Sequence, residues 1–214
     1  MIKVVIFDMD GVISETQKLH AQVESEILKR VCIELSPEEI TRRYAGVRPR
    51  DFFEQLLKEK GKENLVDALV DEKWKRVTEA AFIAVDEIDG SVDLIKYLHE
   101  NKFPLAVVSG ANREFVNAVL KSLELEKYFK FILGGDEVKN GKPHPEGFLL
   151  AAKNLETAPE ECLVIEDGIA GMQAAKVGGM KCIGLVTFKA DHYPTKNLVN
   201  SLREISLDYL NALR

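Results

Sequence analysis

Apolar positions along the chain fall into two textures. From about Ser91 onward, short apolar runs at 105–108, 131–133, 162–165 and 182–186 alternate with stretches of helical period. Most of these runs are apolar throughout instead of alternating with polar residues. That predicts strands covered on both faces, as in a parallel sheet flanked by helices. The run at 2–7 has the same character and joins the set. Start and stop signals mark the helices between them. Ser91 is placed to cap 92–100, Asn112 to cap 113–123, and Pro145 to open a helix through Asn154.

Between roughly Glu15 and Val85 the pattern is helical only. Ser36-Pro37-Glu38-Glu39 is a capping-box signature with proline at the first helical position. From Pro49 to Lys60 an apolar stripe recurs (Phe52, Phe53, Leu56, Leu57) and stops at Gly61. Leu65, Leu69, Trp74 and Val77 suggest a further helix. Phe52, Phe53 and Trp74 suit either the core of this segment or a subunit contact. The chain therefore reads as an α/β protein: a Rossmann-like parallel-sheet core at 1–14 and 86–214, with a small α-helical cap domain inserted at 15–85. The crossings near 14–17 and 85–90 are the natural hinges. No internal repeat, low-complexity tract or Pro/Gly linker is visible.

With 214 residues, 46% hydrophobic and 30% charged, the chain has enough apolar content for a folded core. The net charge of −6 disfavours nucleic acid as a partner. The longest apolar runs are strand-sized, so no membrane association is expected. The amino terminus enters the first strand directly, which predicts a cytoplasmic protein; a monomer or weak homodimer is expected. Cys32, Cys162 and Cys182 are scattered beside apolar stretches and read as small buried hydrophobes.

Four clusters carry chemistry. Asp8-Met9-Asp10-Gly11 follows the first strand, Ser109-Gly110 follows the second, Lys142 lies in a later loop, and Glu166-Asp167-Gly168 follows another strand. In an open α/β sheet, ligands bind beyond the carboxyl ends of the strands, so these distant residues are expected to converge. Taken singly, each has an ordinary explanation as a turn, a helix cap or a solvated loop lysine. All four at strand ends, in this order, point to phosphoryl transfer. Asp8, Glu166 and Asp167 form an oxygen-rich set suited to Mg²⁺. Lys142 and the metal would neutralise phosphate charge, and Ser109 with backbone N–H groups would hydrogen-bond its oxygens. Asp8 is the expected nucleophile, and Asp10 the acid that protonates the leaving oxygen and then accepts a proton.

These motifs resemble the haloacid-dehalogenase superfamily of phosphohydrolases over essentially the whole chain. Asp8-Met9-Asp10-Gly11-Val12 is similar to the family's first motif, Ser109 to its second, Lys142 to its third and Glu166-Asp167 to its fourth. The resemblance implies Mg²⁺ held by Asp8, Asp10 (through its backbone carbonyl), Glu166 and Asp167, and a phospho-aspartate on Asp8. Asp10 argues for phosphate and against halide chemistry. The helical insert resembles the branch with phosphoglycolate phosphatases, sugar-phosphate phosphatases and β-phosphoglucomutase. It implies a phosphomonoester substrate contacted by Ser109, Gly110, Asn112 and Lys142, under a cap that closes over it. Thr16 and His20 match the stretch after the first motif in the mutase and in several sugar-phosphate phosphatases; His20 reads equally as a cap-surface residue. The segment 46–51 is similar to the mutase's substrate loop, but Pro49 stands at its arginine position, between Arg48 and Arg50. Arg48 is a cap cation expected at substrate; Lys75, or its neighbours Lys73 and Arg76, lies where related caps present a cation to substrate, and a solvated helix face is the other reading of that stretch. A hydrolase of a small sugar phosphate is the reading; the alternative is a mutase that returns the phosphoryl group to sugar, and the remote one a non-catalytic phosphate-binding protein on the same fold.

Overall fold

The computed structural model describes residues 1–44, 47–186 and 192–213. The chain divides into two compact units. One comprises 1–15 and 85–214, the other 16–84.

The first unit is a six-stranded sheet with every neighbouring pair parallel. β1 (Val4–Phe7), β2 (Leu105–Val108), β3 (Phe129–Leu133), β4 (Cys162–Glu166), β5 (Lys181–Leu185) and β6 (Asn197–Val199) lie in the order β3-β2-β1-β4-β5-β6. β1 is therefore central, and Phe7 pairs with Val107 on one side and Ile165 on the other. The direction of winding reverses between β1 and β4, the place where such sheets open a crevice.

β1, β2 and β4 are buried along their whole length, which explains the unbroken apolar runs. Helices α5 (Ser91–Glu100), α6 (Arg113–Ser122), α7 (Glu146–Asn154), α8 (Ile169–Val177) and α9 (Leu207–Ala212) complete the unit. Phe148, Ala151 and Ala152 of α7 and Met172, Ala174 and Ala175 of α8 pack with Val4, Ile6, Ala106 and Val164 of the sheet. Burying a side chain the size of Phe148 contributes roughly 1.5–3 kcal/mol.

Local signals behave as expected at most ends. Asn112 accepts the Phe115 N–H at 2.9 Å and caps α6. Ser91 does not cap α5. Gly90 takes that position with φ +82°, and Ser91 lies inside the helix, buried, its hydroxyl donating to the Ile13 carbonyl at 2.8 Å. A left-handed residue is needed there, and glycine supplies it without steric cost. β6 was not evident in the sequence.

The second unit is helical: α1 (Gln17–Arg30), α2 (Pro37–Tyr44), α3 (Pro49–Lys58) and α4 (Val66–Ile83). The capping box at α2 forms, with the Glu39 N–H on Ser36 Oγ and the Ser36 N–H on Glu39 Oε2, both at 3.2 Å. Phe52 and Phe53 are fully buried, edge to face with each other at 5.0 Å, and Phe52 meets Tyr44 at 5.1 Å. They are core residues of this unit; Trp74 is half-buried.

Cys162 and Cys182 are buried, and burial pushes their thiols up to about 11 and about 12. Cys32 departs from the expectation of a buried thiol. It is exposed, at φ +61°, in the turn that ends α1, where the Ile33 N–H returns to the Leu28 carbonyl. Among the described residues, no helix is long and apolar enough to cross a membrane.

Candidate active site

Parallel strands ending side by side bring the four clusters together at one rim of the sheet. Asp8 follows β1 directly, and its N–H extends the ladder to the Ile165 carbonyl at 2.9 Å. The chain then turns sharply: the Met9 carbonyl accepts from Ile13 and Ser14, and Gly11 stands at φ +83°. A Cβ on Gly11 would lie 2.1 Å from Asp167 Oδ2, so glycine is required here both for the turn and for the approach of that carboxylate. Ser109 follows β2, its N–H on the Leu133 carbonyl at 3.0 Å. Glu166 is the last residue of β4, and Asp167 is the next.

Lys142 arrives from the loop between β3 and α7. Its ammonium donates to Asp8 Oδ1 and, at 2.7 Å, to Glu166 Oε1. Glu166 Oε2 accepts the Gly168 N–H at 2.6 Å, so both oxygens of this buried carboxylate have partners. Ser109 Oγ donates to Asp10 Oδ2 at 3.2 Å and accepts the Ala111 N–H at 3.0 Å. Gly110 and Asn112 occupy the same turn, Asn112 engaged as the α6 cap.

Two supports were not anticipated from the sequence. Glu146 holds the lysine loop, accepting the Lys139 N–H (2.8 Å) and the Asn140 N–H and side-chain amide (3.0 and 2.9 Å). The loop after β3 braces the serine loop, with the Gly135 N–H on the Ala111 carbonyl (2.6 Å) and Asp136 on the Arg113 N–H (2.8 Å). An acidic residue directly after Pro145, at a helix start, was the one available signal for Glu146.

The electrostatics are lopsided. Burial, opposed by Lys142 but reinforced by Glu166, Asp167 and Asp10, raises the Asp8 carboxyl well above the usual range. Burial and the neighbouring Glu166 push Asp167 up to about 7. Burial disfavours the Lys142 charge, but Asp8 and Glu166 outweigh it and keep its pKa above normal. Lys142 thus bonds two carboxylates, Asp8 and Glu166, with Asp10 and Asp167 close enough to raise their neighbours' pKa values, and this all-oxygen, negatively charged set fits a hard divalent cation. Among the described residues, no three carboxylate, imidazole or thiol side chains are gathered to hold an ion by themselves. A carbonyl and solvent oxygens would complete the shell, as Mg²⁺ commonly requires.

The cap residues lie in the helical unit. His20 sits on α1, edge to face with Trp74 at 5.9 Å. Arg48 donates twice to Asp51, at 2.8 and 3.1 Å. Lys75 is exposed, 4.0 Å from Glu79. Its neighbour Lys73 is buried, 3.7 Å from Glu24 and 3.8 Å above the Trp74 ring, and Arg76 pairs with Glu26. Ala45 and Gly46 lie outside the described residues, so the segment 46–51 is described only from Val47.

The chain is 31% identical over 186 residues to the phosphorylated carbohydrates phosphatase of Thermotoga maritima, covering 85% of this chain and 84% of that protein. It is 31% identical over 179 residues to the fructose-1-phosphate phosphatase YqaB of Escherichia coli, covering 83% and 93%. The crystal structure of β-phosphoglucomutase from Clostridium difficile superposes with a TM-score of 0.82 at 25% identity, over 99% of this chain and 96% of that one. The profile of haloacid dehalogenase-like hydrolases matches residues 5–185, from β1 to the end of β5. That span takes in every strand-end residue at the rim, and the chain belongs to the haloacid dehalogenase-like hydrolase family.

Proposed function

We propose that the chain is a Mg²⁺-dependent phosphatase of a small phosphomonoester, a sugar phosphate by class, working through an aspartyl phosphate on Asp8. The observation that carries this reading is Asp8 itself: a buried carboxylate heading the central strand, held by the Lys142 ammonium amid three further carboxylates. A carboxylate so placed can take a phosphoryl group covalently and split one difficult step into two.

In the first step an Asp8 oxygen attacks phosphorus, the bond to the leaving oxygen breaks, and Asp10 delivers its proton to that oxygen. In the second, water attacks phosphorus, its proton passes to Asp10, and inorganic phosphate departs from a restored Asp8. Lys142 offsets charge on the transferring group, and Ser109 and the turn after β2 hold its oxygens. Asp8 and Asp167 through their side chains and Asp10 through its carbonyl would hold Mg²⁺, with Glu166 beside them. The metal, when bound, would neutralise phosphoryl charge and let Asp8 accept an anionic group.

The sugar-phosphate class rests on the relatives named for phosphorylated carbohydrates and fructose 1-phosphate. In the helical unit, His20, Arg48 and the exposed Lys75 are the residues proposed to address the substrate's remainder; an arginine fork suits a second anion.

The test is phosphate release from p-nitrophenyl phosphate, phosphoglycolate and hexose phosphates, with Mg²⁺ and with chelator, alongside Asp8→Asn. Metal-dependent release that vanishes in the variant, in a protein that still folds, is the expected result. Release retained by Asp8→Asn would overturn the nucleophile. Isomerisation of a sugar 1-phosphate in the presence of a bisphosphate, with no net release, would replace hydrolase by mutase.

A further inference from the structure

Gly171 lies in the first turn of α8, and no turn requires a glycine there: its φ is not in the left-handed region. In a helix interior glycine is less stabilising than alanine. The space explains it. A Cβ built on Gly171 would fall 1.6 Å from Glu166 Oε1, 2.1 Å from its Cδ and 2.8 Å from its Cγ, and these are the three nearest atoms. The outer half of the Glu166 side chain thus occupies the volume that any other residue at 171 would fill.

Glu166 cannot give way at little cost. It is 2% exposed, its Oε1 accepts from Lys142 at 2.7 Å, and its Oε2 accepts from the Gly168 N–H at 2.6 Å. Moving the carboxylate breaks both bonds and leaves Lys142 with Asp8 as its remaining carboxylate partner at the rim.

We propose that Gly171 is a positioning residue for the reaction: its missing side chain lets Glu166 lie against α8 and hold Lys142 between two carboxylates. The kinetic consequence rests on the phosphatase reading above; the packing consequence does not. With Glu166 displaced, Lys142 is drawn onto Asp8, where it engages the nucleophile instead of the transferring group. Binding of substrate elsewhere is untouched, so kcat carries the loss and KM stays close to wild type.

The experiment is a double-mutant cycle on the full chain: wild type, Gly171→Ala, Glu166→Ala and the pair, each measured for thermal midpoint and steady-state kinetics. Gly171→Ala is expected to lower kcat about 10²-fold, the size of losing one preorganised charge-stabilising donor. It should also lower the thermal midpoint. In the Glu166→Ala background the same alanine has room, and its helix propensity should raise the midpoint. That reversal of sign is what a merely structural glycine would not produce. If Gly171→Ala fails to fold, folding of the double variant supports the proposal, and failure of both overturns it. Wild-type kcat in Gly171→Ala, or a shift of the same sign and size in both backgrounds, overturns it. Wild type without phosphatase activity defeats the functional reading instead, and the stability cycle still decides the packing.

Discussion

Ser109 Oγ and Asp10 Oδ2 are joined by a 3.2 Å hydrogen bond although 99 residues separate them in sequence. The serine hydroxyl is also fixed from behind by the Ala111 N–H at 3.0 Å. Its donor direction is therefore set toward Asp10, and Asp10 is aimed by a group that belongs to a different strand. Replacing Ser109 by alanine should lower kcat/KM about tenfold, the value of one such bond, and should also lower the thermal midpoint, because the buried Ala111 N–H loses its acceptor. Steady-state kinetics beside a melting curve checks both.

The raised pKa of Asp167 has a definite sign in stability. Its folded value of about 7 lies above its ordinary 3.8, so the protonated form favours the folded state. In chelator, that stabilisation is complete below the ordinary carboxylate range and is lost as the pH rises through about 7. Asp8 shifts in the same direction. The proposed Mg²⁺ would compete with these protons, so its stabilisation should grow over the same window. Thermal unfolding along a pH series, with and without Mg²⁺, measures this. A gain from Mg²⁺ that is constant with pH would contradict it.

Gly11 and Gly61 offer a controlled pair. Both have positive φ, +83° and +64°, but an added Cβ meets Asp167 only at Gly11; at Gly61 it meets nothing within 4 Å. Alanine at either should cost about 1–2 kcal/mol of stability from the left-handed backbone. Only Gly11→Ala should raise the Mg²⁺ concentration needed for half-maximal activity. Metal titrations of the two variants distinguish the shared cost from the local one.

Lys73 and Lys75 should behave in opposite ways. Lys73 is 3% exposed and faces Glu24, whose own carboxyl is raised by burial. Lys73→Met would leave that carboxylate buried without its cation and should cost about 3–5 kcal/mol. Lys75→Met, at a side chain 75% exposed, should change stability by no more than about 0.5 kcal/mol. Urea unfolding of both variants is the measurement.

The sheet was largely legible because burial on both faces leaves an unambiguous pattern; the run at 105–108 coincides with β2. β6 escaped because Asn197–Val199 is three residues long, begins with a polar residue and leaves Leu198 exposed. Ser91 misled because a serine before an apolar helix is a strong cap signal, while the decisive fact, the φ of Gly90, is not written in residue type. Convergence of Asp8, Asp10, Ser109, Lys142 and Glu166 could be inferred because parallel strands end on one side. Residue type alone does not separate Lys73, Lys75 and Arg76; Lys73 is the one buried, against Glu24 and Trp74. Gly171 was unreadable for the same reason: its meaning lies in the atoms of Glu166.

The central place of β1 also sets a timetable. Its neighbours β2 and β4 begin at residues 105 and 162, so a growing chain carries the Asp8 strand with neither neighbour until residue 105 and with one edge open until residue 162. Residues 16–84, the whole of the second unit, are by then already made. Contacts this distant in sequence form late, and until they do an apolar strand has two open edges. The rim around Asp8 is thus completed only after β4 has been made: a translation product stopped before Glu166 carries its proposed nucleophile without any of the partners that β4 brings.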